Sequence, residues 1–118
     1  MADQGAGSRE HAATVREILA RCGARSDCRI WPSNTGIGRA IDNPDRIIRF
    51  GLKGSADISG IYRHGVRIEI EVKTGAALQS KEQRAFQTMI ESFGGLYRVV
   101  RNADDAAAWL DSLAPDVT

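Results

Sequence analysis

Asp57 and the run Glu71-Val72-Lys73 are the residues of this chain whose types and spacing could do chemistry. Two carboxylates that meet could hold one hard cation such as Mg²⁺, which prefers oxygen ligands. Like charges so close need a counter-charge, and a divalent ion supplies it. Lys73, two residues beyond Glu71, could orient a water or balance charge growing on a bound anion.

Whether the two acids meet depends on a hairpin. The stretch Gly54 to Lys73 reads as two strands joined near Arg63-His64-Gly65, because apolar and β-branched residues alternate and a Gly sits at the bend. In the second strand Ile68, Ile70 and Val72 share one face, and Glu69, Glu71 and Lys73 share the other. The alternation predicts one dry face and one charged face. A loop of Arg63 to Gly65 pairs Tyr62 with Val66 and sets Asp57 directly opposite Glu71, on the same face. A turn made by His64-Gly65 alone pairs Ile58 with Glu71 and sends Asp57 to the other side. Loop length or a bulge decides between them.

Asp57 followed by Glu71-Val72-Lys73 resembles the D…ExK signature of the PD-(D/E)XK nuclease superfamily. RFGLKGSADISGI, the IEIEVKTG strand, the LQSKEQRAF helix start, the FGGLYRVVR strand and a closing Asp-rich helix follow in the order seen in the VRR-NUC family. The chain resembles a stand-alone VRR-NUC domain over most of residues 8 to 113. The resemblance implies an α/β, restriction-endonuclease-like fold with a central mixed sheet flanked by helices. It implies a Mg²⁺- or Mn²⁺-dependent endonuclease acting on branched DNA such as Holliday junctions, leaving a 5′-phosphate and a 3′-hydroxyl, and working as a homodimer. A catalytically weak or inactive DNA-binding module on the same scaffold is the alternative. Carried onto this sequence, the metal ligands are Asp57, Glu71 and the Val72 carbonyl, with Lys73 and Gln83 completing the catalytic set.

Relatives also carry a metal-binding acid on their first helix. A helix is predicted from an N-cap at Ser8 to about Cys22, with Val15, Ile18, Leu19 and Cys22 on one face and Gly23 as its stop. Glu10 and Glu17 share a stripe beside that apolar face, where a solvated Glu is the usual reading. Glu10 is expected ahead of Glu17 as the acid. His11 lies nearer the centre of the apolar face, where a buried or capping role is expected rather than a ligand's.

The remaining segments supply candidates for DNA contact. Cys28 to Trp31 reads as a strand ended by Pro32. The SNTGIGRA segment that follows lacks the Arg that introduces it in relatives, and offers Asn34, Thr35 and Arg39 either to a phosphate or simply to a turn. Asn43-Pro44-Asp45 signals a turn before a strand to Phe50, and Arg49 and Lys53 stand near Asp57 in sequence. Ser80 with Gln83 forms an S-x-x-Q capping box. Spacing assigns Gln83 to that cap, whereas the resemblance sends it into the active site. Lys81 and Arg84, at the same helix end, could add phosphate contacts. Phe86, Met89, Ile90 and Phe93 form that helix's apolar face, and Gly94-Gly95 stops it. Leu96 to Arg101 gives a last strand, and Asn102 caps a final helix with Trp109, Leu110 and Leu113 inward. Glu69 is expected to face solvent, with a supporting role at the site as the other reading.

Composition bounds these readings. With 118 residues there is room for one compact domain, residues 8 to 118, after a flexible lead-in of residues 1 to 7. No run of about 18 apolar residues occurs, so no membrane span is expected. MADQGAGSRE has no hydrophobic core of a signal peptide, which points to the cytoplasm. Cys22 and Cys28, separated by five residues, have no partner Cys or His pair and read as reduced thiols, not a zinc site. Net charge is only +1, yet residues 16 to 53 hold eight Lys or Arg against four acids, and residues 102 to 118 hold four Asp and no base. That polarity permits nucleic acid without requiring it.

Overall fold

The fold is described from a computed structural model of the chain, covering residues 2–33 and 36–113. In order come α1 (Ala2–Cys22), β1 (Cys28–Pro32), β2 (Gly36–Arg39), β3 (Ile47–Phe50), β4 (Ile58–Tyr62), a 3₁₀ turn (Arg63–Gly65), β5 (Val66–Val72), α2 (Lys81–Ser92), β6 (Leu96–Val100) and α3 (Ala103–Leu113). Four strands make a mixed sheet ordered β1-β4-β5-β6, and β2 with β3 makes a separate antiparallel ribbon. β4 runs antiparallel to both β1 and β5, while β6 is parallel to β5. Parallel neighbours need a crossover between them, and α2 is that crossover. The chain is a small α/β fold with a mixed sheet flanked by helices.

The β4–β5 hairpin takes the register of the longer loop. Tyr62 pairs with Val66 and Ile58 with Ile70, so Asp57, one step before β4, lies across from Glu71. His64 at φ 65° and Gly65 at φ 78° make the reversal possible.

Strand alternation then sorts the two faces. Ile58, Tyr62, Ile68, Ile70, Val72 and Val100 point to one side, where Ile18 and Cys22 of α1 and Ala103, Ala106 and Leu110 of α3 cover them. The alanines are fully buried, and their small size lets α3 lie close to the sheet and to α1. On the other side Phe86 of α2 packs on Tyr97 and Ala56, with the two rings edge to face at 6.3 Å. At the sheet's far end the Arg25 guanidinium grips both oxygens of Asp27 at 2.8 Å and holds that carboxyl down at about 2. Cys22 and Cys28 are buried free thiols, and burial pushes both thiol pKa values up, that of Cys28 to about 11.

Several expectations change. Helix α1 begins at Ala2, so Ser8 lies inside it and not at its N-cap. Gly5 and Gly7 each cost a helix about 1 kcal/mol, which weakens that first stretch without breaking it. Gly36–Arg39 is a strand paired with β3, so this part of the expected turn or phosphate loop is extended backbone. Phe93 is 85% exposed as the C-cap of α2, because the helix ends there with Gly95 N–H bonded to Ile90 and Gly94 N–H to Glu91. Among the described residues no helix is long and apolar enough to cross a membrane.

Candidate active site

Asp57, Glu71, Lys73 and Gln83 come together where β4 begins, β5 ends and α2 begins. The expected charged face is covered, not open: Glu69 is 0% and Glu71 2% exposed, because α2 closes over that side of the sheet. The solvent-facing expectation for Glu69 is therefore overturned. Its carboxylate takes a hydrogen bond from Ser59 Oγ at 3.0 Å and one from Arg67 Nε at 2.5 Å, which satisfies the buried charge.

Glu71 is less well satisfied. Its Oε2 accepts from Gln83 Nε2 at 3.1 Å and lies 3.7 Å from Lys73 Nζ. Its Oε1 is buried without a hydrogen-bond partner among the described residues. Burial above all, then the Asp57 charge, pushes the Glu71 pKa up to about 8, with Lys73 pulling the other way. Asp57 is better held. Its Oδ2 accepts from the Val72 N–H at 2.8 Å, which fastens the start of β4 to the end of β5.

Gln83 serves the cap and the site together. Its Oε1 accepts from the Ser80 N–H at 2.8 Å, its own N–H donates to Ser80 Oγ at 3.1 Å, and its Nε2 is the end that reaches Glu71. The helix start is brought there by Gly54. A Cβ on Gly54 would sit 2.3 Å from the Glu82 carbonyl oxygen, and its φ of +82° is one that side-chain-bearing residues rarely adopt.

Glu10 is exposed on α1, and the group of α1 that meets the site is its neighbour His11, with Nε2 3.3 Å from Asp57 Oδ2. The helical repeat explains the exchange. His11 heads the stripe of Val15, Ile18 and Cys22 that faces the sheet, whereas Glu10 heads the exposed stripe with Glu17. That stripe was legible in the sequence, though reading it as core concealed a polar residue at its open end.

The basic candidates divide. Lys53, Lys81 and Arg84 gather at the start of α2, beside Gln83. Lys53 faces Glu82 at 3.7 Å, Arg84 donates to the Gln79 carbonyl at 2.9 Å, and Lys81 is exposed. Arg39 is on the β2–β3 ribbon and donates to the Pro44 carbonyl at 2.9 Å. Arg49 pairs through its backbone with Ile37 on the same ribbon. Asn34 and Thr35 lie outside the described residues. Arg101, which no motif marks, donates to the carbonyls of Lys73 and Ala77 at 3.2 and 2.6 Å and so holds the loop that follows Lys73.

No protein-family model matches the chain, and no curated protein matches it.

Chemically, the centre is a pair of carboxylates, one of them buried with a vacant oxygen, bordered by an ammonium group and an amide. Among the described residues no three His, Cys, Asp or Glu side chains, as they lie, surround a common ion position. Two carboxylates and a backbone carbonyl suit a cation that keeps several of its waters, as Mg²⁺ does.

Proposed function

We propose that this chain is a metal-dependent DNA endonuclease with a restriction-endonuclease-like, VRR-NUC-type fold. The observation that carries the reading is the register that sets Asp57 across from Glu71, with Lys73 3.7 Å from the Glu71 carboxylate. The buried, unpartnered Oε1 of Glu71 supports a cation, since a buried carboxylate oxygen without a partner is costly and a divalent ion would satisfy it. Asp57, Glu71 and the Val72 carbonyl would hold Mg²⁺ or Mn²⁺. When bound, the ion would polarise the scissile phosphate and lower the pKa of an attacking water.

The protein groups have separable tasks. The Val72 N–H fixes Oδ2 of Asp57 and leaves the other oxygen available. Gln83 Nε2 fixes Oε2 of Glu71 and likewise leaves Oε1. Lys73, with its side chain 16% exposed, keeps its ammonium group beside Glu71 and can orient a water or balance charge on the phosphate. Lys53, Lys81 and Arg84 offer a basic rim at the α2 N-terminus for the DNA backbone. Branched DNA cut by a homodimer is the substrate and assembly this reading favours, since two sites about a two-fold axis would cut two strands symmetrically.

The test is cleavage of a labelled four-way junction, beside a flap and a linear duplex, with Mg²⁺ or Mn²⁺. Paired symmetric nicks in the junction, lost in Lys73→Ala, are expected. Folded protein that cuts none of these with either metal would sink the nuclease reading. Junction binding retained in that case would leave the DNA-binding module as the better account.

A further inference from the structure

Helix α2 covers only part of the sheet face that carries Glu69 and Glu71. Phe86 of α2 packs on Tyr97 and Ala56, and Glu69 is fully buried, whereas Trp31 of β1 is 43% exposed and Ile61 of β4 44%. Register puts both of these apolar side chains on that face. Trp31 pairs with Ser59 and Arg29 with Ile61, and Ser59 pairs in turn with Glu69, to whose carboxylate it donates. β1 is an edge strand of the sheet. A backbone bond from the Ser33 N–H to the Asp57 carbonyl, at 2.9 Å, carries the β1–β4 ladder one step past β4. Trp31 is therefore the diagonal neighbour of Asp57, a relationship that spans about 7–8 Å. An exposed indole stands beside the candidate site, on the side away from α2.

The charge around this indole is basic. β1, β4 and the turn after β4 hold Arg29 and Arg63, both exposed, and no acid. Arg29 is steadied through Nη1 by the Cys28 carbonyl at 2.8 Å and by the Arg25 carbonyl. Of the neighbouring acids, Asp27 is held by Arg25 and Glu69 by Arg67. Such a surface fits a nucleic-acid strand, whose bases offer flat rings to an indole and whose phosphates attract guanidinium groups. A second copy of the chain fits it poorly, because a two-fold contact would crowd the arginines of both copies around two apolar side chains apiece. We infer that Trp31 is a stacking platform for an unpaired base on the strand whose phosphate lies at Asp57 and Glu71. A base inside a duplex has both faces covered by its neighbours, so the platform is engaged only where pairing ends. The consequence is a preference for cutting beside unpaired nucleotides, as at a flap or an opened branch point. This inference rests on the nuclease reading for the nucleic acid itself, and goes beyond it in naming the residue that recognises the unpaired base.

Tryptophan fluorescence of the full chain tests it separately from cleavage. The chain has two tryptophans, and Trp109 of α3 packs against the core, so Trp109→Phe leaves Trp31 as the reporter. With EDTA present to prevent cleavage, a short oligothymidylate is expected to quench Trp31 emission, and a duplex of the same length to quench it less. Trp31→Leu, which keeps apolar bulk without the indole, should weaken single-strand binding on the order of tenfold, and Trp31→Phe should weaken it less. Circular dichroism checks that each variant folds, and the quench reads Trp31 itself should the Leu variant fail to. With Mn²⁺, cleavage of a flap should fall in Trp31→Leu and be largely kept in Trp31→Phe. No single-strand binding, binding that leaves Trp31 emission unchanged, or equal affinity in folded Trp31→Leu would overturn the platform. Flap cleavage retained by Trp31→Leu in that case would leave the nuclease reading standing. Trp31-dependent binding by a protein that cuts nothing with either metal would sink the nuclease reading and keep the platform. Self-association without DNA that Trp31→Leu abolishes, with DNA affinity unchanged, would overturn the platform and assign this face to a second copy.

Discussion

Gln83 donates from Nε2 to Oε2 of Glu71 at 3.1 Å while its Oε1 accepts the Ser80 N–H at 2.8 Å. A side-chain amide has a donor end and an acceptor end, and α2 uses one for its own cap and the other for the buried acid. Capping and site function therefore do not compete for this residue. The first turn of α2 is stiffened by the same group that orients Glu71.

The two tasks can be separated by mutation. Ser80→Ala removes the hydroxyl that accepts the Gln83 N–H and should cost about 1 kcal/mol of stability. Its effect on metal-dependent cleavage should be slight, since Gln83 keeps its reach to Glu71. Gln83→Ala should lose similar stability and also lower cleavage at least about tenfold. Thermal melts beside cleavage rates read both effects, and equal loss of activity in the two variants would show that Gln83 acts only as a cap.

Gly54→Ala should damage the site from outside it. The added methyl would meet the Glu82 carbonyl at 2.3 Å, on a residue whose φ is +82°. Backbone in that region costs of order 1–3 kcal/mol for a residue with a side chain, and the clash falls on helix backbone that cannot rotate away. Lower stability and displaced amide resonances for Glu82 and Gln83 are expected. Unchanged resonances at those positions would mean that the loop, not the helix, gives way.

Glu71 makes stability without metal depend on pH in a particular direction. Its pKa in the folded protein is raised to about 8, chiefly by burial, so the folded state holds a proton that the unfolded chain releases near the usual carboxylate value. Stability from this group is full below the unfolded value and is lost as pH rises toward about 8. Divalent ions compete with that proton, so stabilisation by Mg²⁺ or Mn²⁺ should grow across the same window. Denaturant titrations at several pH values should show the slope in the wild type and its loss in Glu71→Gln. The same slope in the variant would assign it to another group.

Arg67 and Glu69 give a fourth, purely structural test. Arg67 is half exposed while Glu69 is fully buried, and the guanidinium and Ser59 Oγ are the partners of that carboxylate. Arg67→Ala leaves a buried charge with one neutral donor and should cost roughly 1–3 kcal/mol. Arg67→Ala paired with Glu69→Gln should recover much of that loss. A double variant no more stable than the single one would mean that Arg67 acts by packing over the sheet instead of by charge.

The local pieces of the site are written in short-range sequence. The residues from Arg63 to Gly65, two of them able to take positive φ, select the register that joins Asp57 and Glu71, and S-x-x-Q selects the start of α2. These are legible because turn chemistry and strand alternation depend on neighbours along the chain. The length of α1 and the exposed Phe93 were less legible, since helix ends depend on modest propensities and on how the next segment turns away.

Tertiary structure decided the rest. Alternation put Glu69 and Glu71 on one face, but only the docking of α2 over that face made it dry and raised the Glu71 pKa. Helical spacing put Glu10 and His11 on adjacent stripes, and only the seating of α1 against the sheet brought His11 to Asp57. The distinction is physical. A strand or helix fixes which residues share a side, whereas burial and contact across elements depend on which side another part of the chain comes to cover.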